Sequence, residues 1–351
     1  MKLARGVGLS VGTALFLVGL ARAATAQTTV DGLIYASYRY GLERDSSLVP
    51  ASRRNNFELD RAYLNVRSKA SGGIATRVTV DVDGRRASAG QQTIRLKYAF
   101  ADWTPEGSAI TWRFGMQNTP AVGYIEDTWG YRVQGPVPID RYRYLSSSDI
   151  GLGAEGSWGK QAITAHAGVF NGEGYNGAPG DHRKDASARV SVRLLATDND
   201  SRTGGLRLTG FASVGRATGG AVRNRYLGLL TYQTKATTLG AEYWITTDST
   251  LADAETDGRI VSVFATHQRV GSPVGLIARV DQWDPNTASS PAAFDAASSR
   301  QVRVIAGVSY QLAKNVRLLL DADVASVQGS AVPNSFQADN RSVVFHTEIK
   351  F

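Results

Sequence analysis

The chain of 351 residues contains no cysteine, so disulfide bonds cannot stabilise it. An exported protein of this size must then be held together by other means. The sequence also lacks any run of five like charges, and its basic residues are dispersed, which argues against nucleic acid as a partner. Beyond the N-terminal region there is almost no helical periodicity and no apolar stretch near the ~20 residues that a membrane-spanning helix needs. These absences leave a β-rich protein without disulfides as the main expectation.

The N-terminus predicts export. Lys2 and Arg5 precede the uncharged, mostly apolar run Gly6–Ala21, and Ala24-Thr25-Ala26 is a small-x-small cleavage site. We therefore predict a signal peptide over residues 1–26 and one mature domain over 27–351. The alternative is a membrane anchor, for which the apolar run is short. Removing residues 1–26 takes away three bases and no acid, which lowers the formal charge from +8 to +5.

The rest of the chain consists of short alternating segments, for example Ile74–Asp83 and Ala109–Met116. About sixteen such segments can be counted, and most of their connections alternate between short turns and long loops. Short and long links alternate when tight periplasmic turns and longer external loops join the strands of a membrane barrel. Both termini then lie in the periplasm, which requires an even strand number. The link 196–205 is the exception, because it is long on the side of the short turns.

The C-terminal segment follows the same alternation. Val343, Phe345 and Phe351 fall on one face of a strand, and His346 and Glu348 on the other. An alternating strand that ends on phenylalanine is typical of outer-membrane barrels, whose last strand closes the barrel and is read by the assembly machinery. A strand of a soluble sandwich also alternates, but a large barrel turns its apolar face to lipid and its polar face to water. We predict an all-β, transmembrane antiparallel β-barrel of about sixteen strands.

Several sequence segments resemble those of a known porin family. They are Phe57–Leu64, Lys97–Trp103, Arg113–Gln117, Ser146–Gly151 and Val169–Tyr175. Together they resemble the phosphate-selective porin O and P-like family of bacterial outer-membrane porins. The resemblance implies a Gram-negative outer membrane containing lipopolysaccharide, a homotrimer, and a third long loop that folds into the lumen and narrows it.

A sixteen-stranded barrel is too wide for its side chains to fill and leaves an aqueous channel. The predicted function is therefore passive diffusion of small hydrophilic solutes and ions through the outer membrane. The loop 118–148 has the length and position of a constriction loop, although an ordinary external loop would also carry surface charges. Opposed acids and bases in a narrow pore create a transverse field. The candidate constriction residues are Glu126, Asp127, Arg132, Asp140, Arg141 and Arg143.

On the lumen-facing parity of the strands, bases outnumber acids. Rings of Arg and Lys bias a pore toward anions, so the sequence favours a weak anion preference, for phosphate-like anions among others. The alternative is that neighbouring strands neutralise one another in salt bridges. The candidate wall residues are Arg61, Arg77, Arg95, Lys97, Arg113 and Arg189.

An enzyme is the main alternative, because some outer-membrane barrels are lipases or proteases that use a histidine at the rim. Among four histidines, only His182, next to Asp181, stands in a loop suited to that role. No hydrolase, metalloprotease or phosphate-loop motif is present, so we expect no catalytic residues, metal or cofactor. A non-conducting structural barrel is a third possibility.

Overall fold

The computed structural model describes residues 27–42, 55–88, 91–177, 180, 182–217, 219–249, 255–287, 300–328 and 340–351. The predicted signal peptide and Asp181 lie outside them. Within this part of the chain, sixteen strands form one closed antiparallel barrel in which each strand pairs with its neighbours in sequence and the first pairs with the last. The prediction of a sixteen-stranded antiparallel barrel is confirmed.

The strands are β1 (Gln27–Gly41), β2 (Asn55–Lys69), β3 (Ile74–Ser88), β4 (Gln91–Trp103), β5 (Ile110–Asn118), β6 (Ser148–Trp158), β7 (Ile163–Phe170), β8 (Asp185–Leu195), β9 (Gly205–Arg216), β10 (Val222–Gln233), β11 (Thr237–Ser249), β12 (Glu255–His267), β13 (Val274–Asp284), β14 (Arg300–Ala313), β15 (Val316–Gln328) and β16 (Asn340–Lys350). Between β5 and β6 lie α1 (Val122–Trp129), a 3₁₀ turn (Arg132–Gln134) and α2 (Pro138–Arg141). No helix among the described residues is long and apolar enough to cross a membrane.

The barrel closes between β1 and β16. The backbone N–H of Gly32 donates to the carbonyl of Phe351 at 2.8 Å, and the N–H of Phe351 donates back at 3.0 Å. A Cβ at Gly32 would stand 2.1 Å from the Phe351 ring, so only glycine lets that ring cover the backbone. Burial follows the predicted alternation, since His346 is buried inside the barrel while Phe345 and Phe351 are exposed outside. Closure leaves no unpaired sheet edge.

Two β-bulges change which residues face inward. The register of β1 with β2 skips Asp60, and the register of β3 with β4 skips Lys97. A bulge inserts one extra residue, so the side-chain parity reverses beyond it. In β4, Lys97 and Tyr98 therefore both face the lumen, and Asp102 follows them inward to meet Arg113. Strict alternation along β4 predicts the wrong face for Tyr98 and Asp102.

The lumen face is not uniformly polar, contrary to the expectation from alternation. The strands from β9 to β15 turn large apolar side chains inward, where they are buried. They pack in two clusters with the link between β5 and β6, forming a hydrophobic core inside the barrel. Because both faces of these strands are partly apolar, their sequence carries a weaker alternation. The inward apolar residues are Phe211, Leu227, Leu229, Trp244, Ile260, Phe264, Ile277, Trp283, Ile305 and Leu319.

Candidate pore constriction

The link between β5 and β6 folds into the barrel, and we call residues 119–147 the inner loop. Its helix α1 buries Val122, Ile125 and Trp129 against the apolar wall. Full burial of an aliphatic side chain such as Ile125 contributes about 1.5–3 kcal/mol. Gly130 ends α1 with φ of +73° and returns its N–H to the carbonyl of Glu126, a left-handed cap that glycine adopts without strain. The inner loop is therefore a packed element with its own apolar face.

Hydrogen bonds fix the inner loop to the wall that it covers. Its tyrosine hydroxyls reach side chains on strands that are distant in sequence, so each bond sets the position of the loop across the lumen. The pairs are Tyr124 with Ser191 (2.8 Å), Tyr131 with Ser309 (2.9 Å), Tyr142 with Gln301 (3.0 Å) and Tyr144 with Trp283 (3.0 Å). Arg317 adds a bond of 2.8 Å to the carbonyl of Gly130.

Three of the six candidate constriction residues form one charged cluster. Arg132 pairs through Nε with Glu126 and lies 3.6 Å from Asp140 through Nη2. Two carboxylates around one guanidinium leave a net charge of about −1. Burial raises the pKa of Asp140, and the positive charges of Arg132, Lys97 and Arg61 oppose that rise. The last two belong to the facing wall, so the cluster lies across the lumen from wall cations.

The other three candidates lie apart from this cluster. Arg141 donates to the carbonyl of Pro136 at 3.2 Å. Arg143 is exposed, with φ of +63°, and it lines the open cavity beside the loop. Asp127 pairs instead with Arg202, outside the inner loop. The structure therefore does not place the loop arginines on one side and the loop acids on the other.

The candidate wall residues differ in their partners. Arg61 pairs with Asp83 at 3.0 Å and with Asp81 at 3.5 Å. Arg113 makes two hydrogen bonds to Asp102, at 2.6 and 2.9 Å. Such two-pronged bonds hold the guanidinium in a fixed orientation. These two bases therefore form salt bridges with neighbouring carboxylates, which is the alternative that the sequence left open.

The remaining four have no carboxylate within ion-pair distance among the described residues. Arg77 bonds to Asn65 and Thr79, and Arg95 bonds to Asn176. Lys97 bonds to a tyrosine hydroxyl. Arg189 lies beneath the inner loop, where it donates to the carbonyl of Pro120 at 3.0 Å and stacks on Tyr124. Among the candidate wall residues, the positive charge that has no described carboxylate partner therefore lies on β3, β4 and β8.

A cavity of about 490 Å³ remains in the lumen beside the inner loop, bordered by residues of β1 to β3 and of β6 to β10. Arg61 and Asp83 line it from the wall, and Arg132 and Asp140 line it from the loop. The segment after β7 also leans into this space, since the Tyr175 hydroxyl donates to Asp81 at 3.2 Å. The cavity is polar and bounded by fixed charges of both signs.

Arg202 is a site residue that motif reading missed. It is carried by the long link between β8 and β9, and its guanidinium lies 3.2 Å from Glu155 and also pairs with Asp127. Thr203 holds the link in place by donating to the Gln233 side chain at 2.6 Å. The unusual length of this link on the short-turn side was the available signal. This link brings Arg202 to the inner loop from the end of the barrel opposite the long loops.

His182 is exposed in the loop before β8. Its neighbour Asp181 lies outside the described residues, so the pair that a rim catalyst would need cannot be placed. Within the described ranges, no group of three or more His, Cys, Asp or Glu side chains is arranged to hold a metal ion.

No protein-family model matches the sequence, and no curated protein is similar to it. Solved structures do match the fold. The anion-selective porin from Comamonas acidovorans aligns with a TM-score of 0.66 at 11% identity, over 93% of this chain and 100% of that one. OmpF of Salmonella typhi gives 0.65 at 14% identity, over 92% and 97% of the two chains. The outer membrane channel DcaP of Acinetobacter baumannii gives 0.61 at 10% identity, over 93% and 97%. At these identities the likeness establishes the fold of bacterial outer-membrane porins.

Proposed function

We propose that the chain forms a water-filled channel through the bacterial outer membrane, for passive diffusion of small hydrophilic solutes and ions. The single observation that carries this proposal is the charged cavity left open in the lumen beside the inner loop. A loop packed on one side of the lumen narrows the channel without closing it. Fixed charges around the narrow part favour hydrated, polar solutes over apolar ones.

The outer surface supports a membrane location. Leu208, Val263 and Val308 are each about half exposed on the outside of the barrel. A closed barrel satisfies all its backbone hydrogen bonds within the sheet, as lipid requires. We extend the proposal to both termini in the periplasm, to contact with lipid and lipopolysaccharide, and to recognition of Phe351 by the barrel-assembly machinery.

We further propose a weak preference for anions, phosphate-like anions among them. Arg77, Arg95 and Lys97, on β3 and β4, have no carboxylate within ion-pair distance among the described side chains, while the loop cluster around Arg132 is net negative. Solutes would pass between a positive wall and a negative loop. The unpaired charge of the wall then decides whether the channel prefers anions or cations. One protein of the same fold, the anion-selective porin of Comamonas acidovorans, is named for that preference. Assembly as a homotrimer is part of this proposal and rests on the family resemblance.

Planar-bilayer recording tests the proposal. The purified protein should give stepwise, ohmic conductance, and a KCl gradient should give a reversal potential of the sign for weak anion preference. Clear cation selectivity would refute the anion part alone. Absence of conductance, together with lipase or protease activity that His182→Ala abolishes, would favour the enzyme alternative. Chemical cross-linking in detergent should yield a trimer, and a product limited to monomer would contradict the homotrimer.

A further inference from the structure

Two bases stand opposite each other on the outside of the barrel, at the end where the long loops lie. Arg216 ends β9 on the same outward parity as Val214, and Lys184 stands one residue before β8. The register that pairs Ala186 with Val214 brings Lys184 level with Arg216. Both side chains are exposed, so they face the surroundings of the barrel and not its lumen.

The positive charge at this point has no carboxylate within ion-pair distance among the described residues. Lys184 and Arg216 each donate to one backbone carbonyl, at 3.0 and 2.8 Å. An ammonium and a guanidinium each have several donors, so both groups keep donors for a further partner. Asp185, next to Lys184 in sequence, faces inward and pairs with Arg223 at 2.9 Å. The two outward charges therefore attract an anion.

A recess of about 460 Å³ lies beside these two bases. It is lined by both of them and by Arg183, Val214, Gly215, Val222 and Asn224. Its volume falls within the range of small-molecule sites, ~300–1,000 Å³. The recess therefore has room for the phosphorylated head of a larger molecule as well as for a simple anion.

The outward face of β9 places the recess at the level of lipid headgroups. Its outward residues before Arg216 are Leu206, Leu208, Gly210, Ala212 and Val214. This apolar row has the length that a tilted strand needs to cross the hydrocarbon core, ~9–11 residues. Arg216 is the next outward residue, beyond the apolar row. Basic side chains in that position attract the charged headgroups of lipids.

A groove lies in the outer surface below the recess. One row of paired outward residues crosses four strands, and it consists of Val190, Gly210, Gly228 and Tyr243. Val190 and Tyr243 are about half exposed, whereas a Cβ placed at either glycine would meet no atom within 4 Å. Only the small side chain of Ala212 separates Gly210 from Val214 along the outward face of β9. An acyl chain can therefore lie in the groove while its head occupies the recess.

We propose that Lys184 and Arg216 bind a phosphate group of outer-leaflet lipopolysaccharide, with an acyl chain of the same lipid in the groove at Gly210 and Gly228. This site rests on the outer-membrane location of the proposed function, and it names the residues that hold the lipid. A phosphate offers several oxygens to the donors of the two bases, and such charge-assisted bonds are the strong ones. Lipopolysaccharide carries phosphates and acyl chains in one molecule, so it can meet both parts of this surface.

Titration of lipid A, the phosphorylated and acylated part of lipopolysaccharide, into the purified protein in detergent tests the site. In the Lys184→Gln/Arg216→Gln double variant, the apparent dissociation constant should rise about tenfold or more, as for lost bonds to a charged group. Unchanged affinity in this variant would overturn the site.

A second variant tests the groove. Leucine at Gly210 enters open space and leaves the barrel intact, because no atom lies near its Cβ and the backbone does not need glycine there. Gly210→Leu should raise the dissociation constant for lipid A about fourfold or more, the effect of one CH₂ group losing its apolar contact. Unchanged affinity would overturn the placement of the acyl chain.

The matched control is the Lys235→Gln/Arg269→Gln double variant. These exposed bases lie on short turns at the opposite end of the barrel, so the control removes the same two charges from a distant place. Its dissociation constant should stay within about twofold of the unmodified protein, because salt screens charges at that distance. Equal weakening in the two double variants would show general electrostatic attraction and overturn the site.

Two further ligands test the identity of the lipid. Inorganic phosphate at the same concentration should not displace lipid A, and phosphatidylglycerol should bind more weakly than lipid A. Displacement by inorganic phosphate would show an anion site in which the groove has no part. Equal affinity for phosphatidylglycerol would show a site for anionic lipids in general. Either result would overturn the assignment to lipopolysaccharide.

Planar-bilayer recording of the unmodified protein separates this site from the channel. A protein that conducts, but whose affinity for lipid A is the same in the Lys184→Gln/Arg216→Gln variant, overturns the site and leaves the proposed function intact. A protein that gives no conductance steps, but loses lipid A affinity in that variant, supports the site and refutes the channel.

Discussion

The two sides of the lumen differ in the large apolar side chains that they carry. The wall from β9 to β15 buries ten of them, among charged side chains such as Arg279 and Asp281, and the inner loop packs on the apolar ones with Ile125 and Trp129. The inner loop does not cover the wall from β2 to β5, where Arg61 and Asp83 line the cavity. On the same wall Arg77 lies over the ring of Tyr98, and Arg113 over the ring of Phe100. Hydrophobic burial therefore holds the constricting element, and electrostatics acts on the side that solutes can reach. The position of the loop and the selectivity of the pore can be altered separately.

The largest expected effect comes from the covered wall. Trp129 is 1% exposed and meets Phe264 edge to face at 5.5 Å. Trp129→Ala should lower stability by about 3–5 kcal/mol, as for other buried tryptophans, and should loosen the inner loop. The midpoint temperature of heat-modifiable gel migration should fall, and single-channel current should become larger and noisier. Trp103→Ala, at an exposed position on the outside, is the control. An unchanged midpoint in Trp129→Ala would contradict the packed core.

The next effect concerns the link that carries Arg202. Arg202→Gln removes the base between Asp127 and Glu155. Asp127 then loses its ion-pair partner, while Glu155 keeps Arg113 at 3.7 Å. Because the pair is partly exposed, its stability contribution is about 1 kcal/mol or less. We expect the anion-to-cation permeability ratio to fall by about twofold, since focused charge acts mainly on ions in the pore. Arg193→Gln, whose guanidinium bonds a backbone carbonyl, should leave the ratio near its original value. Equal ratios in both variants would show that Arg202 only braces the loop.

A smaller effect should follow pH. Burial raises the pKa of Asp140, so this carboxyl takes up a proton at a higher pH than an ordinary aspartate does as the solution is acidified. Protonation removes one negative charge from the cluster around Arg132, and anion preference should increase. Reversal potentials between pH 7 and pH 4 measure the change. Asp140→Asn should be more anion-preferring at neutral pH and should lose this step. The same titration in both proteins would assign it to another group.

The smallest effect separates two loop arginines. Both line the cavity, but the Arg143 side chain is exposed, whereas Arg141 is half-buried and donates to the backbone of its own loop. Arg143→Ala should reduce the anion preference slightly, and Arg141→Ala should reduce it less. Both differences should shrink at 1 M salt, where charges are screened within about 3 Å. A larger change in Arg141→Ala would mean that its charge, and not that of Arg143, acts on passing ions.

Local sequence determined most of the fold. Alternation with period two marks each strand because lipid imposes one apolar face along its whole length. The sequence therefore predicts sixteen strands, the inward parity of Lys97 and His346, and the position of the loop 118–148. The sequence shows that the link before β9 is unusually long, but it does not show that this link carries a base to the inner loop.

Only the tertiary structure decided how the charges are grouped. Arg132 meets two acids of its own loop, and Arg202 meets Asp127 across 75 residues of chain. The bulge at Lys97 reverses the parity of β4 through its pairing with β3, and it places Tyr98 beside Lys97. These contacts join residues that are distant in sequence or displaced by one position, so no local period encodes them. The sequence by itself specified a barrel with a charged lumen, and packing between the loop and one wall decided which charges face the remaining water.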